Sequence, residues 1–300
     1  MKQLLIVMLC IAGSVKVLAC DVCGGSGAMS GIGFLPNSDF HFVGLSYRAR
    51  TFSTVHPKLF TSETTVLGTN TFQTAEVFGR YAATNRIQLM AFVPIHSRNI
   101  TDTEGTYHIN GIGDASLLAN YLLIKKKDMR WFVGSGVKLP TGNYDQETNG
   151  QVVPNLQAGT GSYDALFTSN FTYLKNQFGM NAEGNYTLTS ANDKYYEYGN
   201  QLDATFTGFY KWKNGKVMYV PQVGLNYTHT AQDVSNTIYN TKAAYTEASQ
   251  LLLPVGLDMY RGNMGLRLSY KIPLLSNMSE GYVTPRINCQ AQLLYIINKK

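Results

Sequence analysis

The chain has 300 residues, 44% hydrophobic and 12% aromatic, with 20 Tyr and 28 Gly, which suits one large β domain and gives no sign of a second. Only 15% of residues are charged, against about a quarter in ordinary soluble proteins, so much of the surface is expected to be hidden from water. The formal charge of +6 is spread along the length without a basic cluster, which argues against a nucleic-acid-binding patch.

Residues 1–19 have the outline of an export signal: Lys2, the apolar run Leu4 to Ala12, then Val17-Leu18-Ala19. The run is too short to cross a bilayer as a helix, and no later stretch offers about 18 uninterrupted apolar residues. The expectation is an exported chain without a membrane helix. Val17-Leu18-Ala19-Cys20 also passes loosely as a lipoprotein box in which Cys20 would be acylated, but Leu18 stands where a small residue is usual, so ordinary peptidase cleavage is preferred. Residues 20–40 read as a periplasmic segment. There Cys20 and Cys23 form a C-x-x-C, in an oxidising compartment where a disulfide or free thiols are the plain readings and a metal site lacks further ligands. Cys289 lies in an apolar strand face and reads as inert.

From residue 41 to 300 the pattern has period two. A first strand at about Phe42 to Phe52 puts Val43, Leu45, Tyr47 and Ala49 on one face and Gly44, Ser46, Arg48 and Arg50 on the other. The second opposes Ala75, Val77, Gly79 and Tyr81 to Glu76, Phe78 and Arg80. After Thr84-Asn85 the third carries Ile87, Leu89, Ala91, Val93 and Ile95 against Gln88, Met90, Phe92, Pro94 and His96, and a polar segment at about Arg98 to Ile112 reads as a loop. Strands four and five, around Leu117 and Val133, flank the charged turn Lys125 to Asp128. The longest connection covers about Leu139 to Gly161. The hairpin from Ser162 to Ser190 is the clearest stretch, Phe167 and Phe171 alternating with Asn170 and Thr172, then Met180 and Tyr186 with Asn181, Glu183 and Asn185. A helix would scramble those sets around its cylinder. Strands eight to twelve centre on Phe206, Val223, Val255, Leu268 and Leu293, with Asn214-Gly215 and Gly262-Asn263 as turns.

Twelve strands joined alternately by five tight turns and six longer loops describe an all-β, antiparallel, up-and-down transmembrane β-barrel following a cleaved N-terminal signal. The outward sets hold no charge. The inward sets hold Arg48, Glu76, Arg80, Asp114, Lys138, Asp164, Glu183, Asp203, Lys211, Asp258 and Arg267, which a dry core would refuse. These are the candidate lumen-lining residues, around an interior expected to be wet. With both termini periplasmic, Tyr81, Tyr121, Trp131 and Tyr295 form one interfacial girdle, and Tyr163, Tyr186, Tyr227 and Tyr270 the other.

Val137-Lys138-Leu139-Pro140-Thr141-Gly142, Pro154-Asn155-Leu156-Gln157-Ala158-Gly159-Thr160-Gly161-Ser162-Tyr163-Asp164, Phe78-Gly79-Arg80-Tyr81 and Ile87 to Pro94 together resemble a family of Gram-negative outer-membrane transporters, similar to the MetA-pathway-of-phenol-degradation barrels. The resemblance covers most of the mature chain and implies a channel or transporter for small solutes, hydrophobic or aromatic ones included, in the cell outer membrane. It carries no catalytic residues and no cofactor. Outer-membrane lipid, the barrel-assembly machinery and a small-molecule solute are the expected partners, and nucleic acid is not. A non-conducting structural barrel, in which the inward charges pair and seal the interior, is the alternative.

An outer-membrane lipid-modifying enzyme is the third reading. It would need a base and a nucleophile together, and His96-Ser97 is the one adjacent pair, with the two side chains on opposite faces. Catalysis is therefore not expected. His41, His56, His108 and His229 are scattered and give no metal site. Gly159-Thr160-Gly161-Ser162 lacks the lysine of a phosphate-binding loop and reads instead as a turn re-entering the barrel. The 139–161 connection is accordingly the candidate constriction.

Overall fold

The computed structural model describes residues 40–56, 66–101, 105–148 and 150–298. The signal sequence and the Cys20–Cys23 segment lie outside the described residues.

Twelve antiparallel strands make the wall. They are β1 (Phe40–His56), β2 (Val66–Ala82), β3 (Ile87–Thr101), β4 in two segments (Thr106–Ile112 and Ser116–Lys125), β5 (Met129–Lys138) and β6 (Asp164–Lys175). After these come β7 (Phe178–Leu188), β8 (Gln201–Tyr210, continued by Trp212–Asn214), β9 (Val217–Thr230), β10 (Ala248–Arg261), β11 (Met264–Met278) and β12 (Val283–Asn298). Each pairs with its sequence neighbours, and β12 returns to β1 in a register running from Phe40↔Asn298 to Thr54↔Val283. Closure pairs each strand on both sides through the body of the wall, the usual answer to the exposed-edge problem.

The side chains fall on the faces that the period-two reading assigns. In β1, Val43, Leu45 and Tyr47 are exposed while Phe42, Ser46 and Arg48 are buried; in β2, Val77 and Tyr81 are exposed while Glu76, Phe78 and Arg80 are buried. The same alternation holds for Phe206 against Asp203 and Thr207 in β8, and for Leu268 against Arg267 in β11. An outer wall of exposed Val, Leu, Ile, Phe and Tyr over polar inward positions is the arrangement lipid requires, because the backbone is satisfied by its neighbours and only apolar groups meet the hydrocarbon.

Two features differ from the sequence reading. Residues 98–101 and 106–112 continue the wall as a hairpin instead of forming a loop, while 273–278 extend β11 along β10 and 283–287 extend β12 along β1, the two meeting at Met278↔Val283. The long-loop end therefore includes a close connection at 279–282 beside the extended ones at 139–163, 189–200 and 231–247. Above the bilayer both faces of a hairpin meet water, so the apolar alternation that marks a strand fades there while the ladder continues. The opposite end is closed by turns at 83–86, 126–128, 176–177, 215–216 and 262–263. Gly215 has φ 58°, which a two-residue hairpin turn of the favoured hand demands.

The second difference concerns the interior. Toward the short-turn end the inward positions are not wet: Phe40, Phe42, Phe78, Met90, Phe92, Leu118, Leu166, Phe209, Val220, Tyr260 and Leu294 pack into one apolar layer across the lumen. The rings of Phe42 and Phe78 meet edge to face at 5.9 Å, and Phe78 stacks on Phe92 at 6.3 Å. A barrel of this girth has too little room for an open aqueous column once such side chains point inward.

Candidate functional site

From the short-turn end upward, the lumen changes from apolar to charged. Arg80 belongs to the apolar layer. Its guanidinium lies 4.5 Å from the Phe40 ring centre and 4.7 Å from that of Phe42, and it donates to the Phe40 carbonyl at 3.2 Å. Lys211 sits half-buried just beyond the end of β8, its backbone N–H donating to the Gln177 carbonyl of a short turn.

At mid-height Asp258 on β10 and Arg267 on β11 stand in register and form a two-pronged pair, Nε at 2.9 Å and Nη2 at 2.7 Å. Gln222 and the Tyr260 hydroxyl also donate to Asp258, at 2.8 and 3.1 Å. Both carboxylate oxygens are thus saturated, the condition under which a buried ion pair is tolerated. In the same polar band Glu183 accepts from Asn185, and Asp203 accepts from Asn226 at 3.0 Å, while Lys271 donates to Asn226.

Three further charges converge at the foot of the long connection. Lys138, the last residue of β5, reaches Asp164, the first of β6, and lies 3.7 Å from Asp114 in the break of β4. Asp114 accepts from the Gly142 N–H at 3.0 Å and from the Thr160 N–H and hydroxyl at 2.8 and 2.7 Å. Asp164 accepts from Ser162 at 2.9 Å and the Ser190 N–H at 3.1 Å. Both ends of the 139–163 connection are tied inside the barrel by these carboxylates. Between its ends the loop carries the short hairpin Glu147–Thr148 with Gln151–Val152 and a single 3₁₀ turn, Pro154–Leu156, and Val153, Asn155, Leu156, Gln157 and Ala158 are buried. Arg98 donates to the Asn155 carbonyl at 2.7 Å, and the Tyr198 hydroxyl to that of Pro154 at 2.8 Å. Where the loop crosses itself, a Cβ on Gly159 would stand 2.4 Å from the Gly142 carbonyl oxygen, so the crossing needs glycine. The loop is a constriction folded into the lumen.

Above it the other long loops form a cap. Tyr144 donates to Asp193 at 2.9 Å, joining the 139–163 loop to residues 189–200. Asp233 in the 231–247 loop accepts from the Tyr196 hydroxyl at 2.6 Å and the Gly199 N–H at 2.7 Å. Burial pushes the Asp233 carboxyl up to about 6, and those two hydrogen bonds pull the other way without cancelling it.

Among the described residues the lumen includes two small chambers of about 60 Å³ each. One lies beneath the loop, between Glu76, His96, Lys138 and the 154–160 segment; the other is walled by Arg50, Asp203, Gln250 and Lys271. Arg48 lines both. Each has room for a few waters.

The sequence-predicted residues thus occupy three settings. Arg48, Glu76, Asp114, Lys138 and Asp203 border the chambers, with Asp164 bonded to Lys138; Glu183 and Arg267 lie with Asp258 in the buried polar band; Arg80 and Lys211 lie at the short-turn end. His96 is buried and hydrogen-bonded to Thr74 at 3.0 Å, whereas Ser97, adjacent in sequence, is partly exposed. Among the described residues no three His, Cys, Asp or Glu side chains gather as a metal site. Arg98, Tyr198, Thr160 and Gln201 were not among the lumen-lining candidates. The signal for the loop's re-entry lay in Val153, Pro154, Leu156 and Ala158, apolar residues inside an otherwise polar connection.

Residues 37–259 match a family profile described as "Putative MetA-pathway of phenol degradation". The chain belongs to this family. An outer-membrane channel from Pseudomonas putida F1 superposes with a TM-score of 0.66 at 14% identity, over 92% of this chain and 100% of that one. The β domain of the Bordetella autotransporter BrkA gives 0.49 at 10% identity over 86% and 99%, and the translocator domain of NalP from Neisseria meningitidis 0.48 at 9% over 88% and 90%. No curated protein sequence matches. The fold is that of Gram-negative outer-membrane barrels, which places the family member in the outer membrane, short turns toward the periplasm by the ordinary asymmetry of such barrels.

Proposed function

We propose that this family member is an outer-membrane channel for small solutes, opened when the 139–163 loop leaves the lumen and the apolar layer beneath it parts. The observation that carries the reading is the manner in which that loop is held. It is tied by individual hydrogen bonds to Asp114, Asp164, Arg98 and Tyr198 over a small polar-walled chamber, a contact that can be released without unravelling the wall. The family description concerns phenol breakdown, and the ringed layer of Phe42, Phe78 and Phe92 suits solutes with an apolar body. Outer-membrane lipid against the outer wall and the barrel-assembly machinery are the partners such a channel needs.

The apolar layer favours a second reading, a barrel that never conducts. Planar-bilayer recording of the folded protein decides between them: discrete conductance steps are expected, more frequent in Asp114→Asn, and silence in both proteins would leave the sealed scaffold. Lipid hydrolysis is not expected, because His96 is engaged with Thr74 and has no nucleophilic partner at Ser97.

A further inference from the structure

The inward acids are served unequally. Asp258, Asp114, Asp164 and Asp203 each accept hydrogen bonds from named protein donors, yet Oε1 of Glu76, a residue only 3% exposed, makes none. Nε of Arg48, 7% exposed, and Oε1 of Gln201 are likewise without a hydrogen-bond partner. All three residues line the chamber under the 139–163 loop. Buried polar atoms left unmet are costly, and when several converge on one cavity the cavity is shaped for something that meets them.

The unmet set is one cationic donor and two acceptors. A solute that meets its two charged members carries an anionic oxygen for Arg48 and a hydrogen-bond donor for Glu76. Charge around the site agrees, since Arg48, Arg98 and Lys138 face Glu76 and Asp114 in this chamber, and Arg50 and Lys271 face Asp203 in the next. The rest of the lining is apolar: Phe92, Pro94, Pro154 and Ala158. We propose that the chamber is a binding site for a small hydroxycarboxylate with an apolar body, its carboxylate on Arg48 and its hydroxyl donating to Glu76. Arg48, shared by both chambers, hands the carboxylate from one to the other. The site deepens the channel reading and rests on it for its biological use, though binding itself can be read without conduction.

The test is calorimetric titration of the full folded protein in detergent with three probes: 2-hydroxybutanoate, butanoate and butylammonium. Asp114→Asn, which loosens the loop, is titrated in parallel so that a closed entrance does not hide the site. The hydroxy acid is expected to bind at least tenfold more tightly than butanoate, and butylammonium not at all. Arg48→Gln should weaken both acids at least tenfold. Glu76→Gln should spare butanoate and erase the preference for the hydroxyl, a change that general loss of structure would not produce; heat-modified gel mobility reports folding of each variant. Failure of both acids to bind wild type and Asp114→Asn alike, or preferential binding of butylammonium, overturns the proposal. Conductance without carboxylate binding removes the site and keeps the channel, whereas binding without conductance does the reverse.

Discussion

Asp114→Asn tests the central element, the loop held inside the barrel. The carboxylate takes three hydrogen bonds from the loop, at 3.0, 2.8 and 2.7 Å, and lies 3.7 Å from Lys138. An asparagine keeps the shape but has one accepting oxygen, so its amide must face the donor of either Gly142 or Thr160. Hydrogen bonds to a charged group are worth about 1.5 to 3 kcal/mol each, and at least one is lost with the charge. Lys138 retains Asp164, which limits the added electrostatic cost. The net effect on loop closure is about 3 kcal/mol, roughly a hundredfold rise in the released fraction. Amide hydrogen exchange measured by mass spectrometry on protein in nanodiscs reads this directly. Peptides spanning 139–163, whose Gly159 N–H is bonded to the Asn143 carbonyl at 2.7 Å, should exchange far faster in the variant while β1 and β12 do not change. Unaltered exchange in 139–163 would refute the idea that Asp114 holds the loop.

Three other expectations follow from the same coordinates. Asp258→Ala strands the Arg267 guanidinium in a site fully screened from solvent and should cost about 3 to 5 kcal/mol, seen as a lower denaturant midpoint in bilayer refolding. Leu268→Arg, on the outer face where the side chain is exposed, should destabilise the folded barrel by about 2 to 4 kcal/mol in lipid, with little effect on chamber binding. Asp233 binds its proton more tightly in the closed cap, at about 6, than as a free aspartate, so the contribution of this group is greatest below pH 4 and declines as the pH climbs through 6. Exchange of the Gly199 amide, corrected for its intrinsic rate, should therefore be slower at pH 4.5 than at 7.5, and Asp233→Asn should remove the difference.

Face assignment was legible because lipid imposes a strict rule on half of each strand. Val43, Leu45 and Tyr47 could not trade places with Ser46 and Arg48 without setting a charge in hydrocarbon. Strand length was less legible: Asn99, Thr101 and Asn110 belong to a hairpin, and Ser276 and Asn277 to a strand extension, that stand in water, where composition resembles that of a loop. The apolar layer was written in the inward positions as well. Phe42, Phe78, Phe92 and Phe209 each fall on the polar face a few residues from a short turn, but their common height emerges only when the strands are set in register. Most of the candidate site depends on such registers. Asp114 and Thr160 are 46 residues apart, and no local pattern marks one as the other's partner.

The seam between β1 and β12 joins residue 40 to residue 298 and is formed by the two extremities of the described chain. Of the described strands a ribosome delivers β1 first and β12 last, so a product that stops short of β12 has two raw flanks in place of a seam. Such fragments would be prone to stitch onto one another or onto neighbouring barrels. Loss of the final strand should therefore be far more harmful to the cell envelope than an insertion of equal length between β9 and β10.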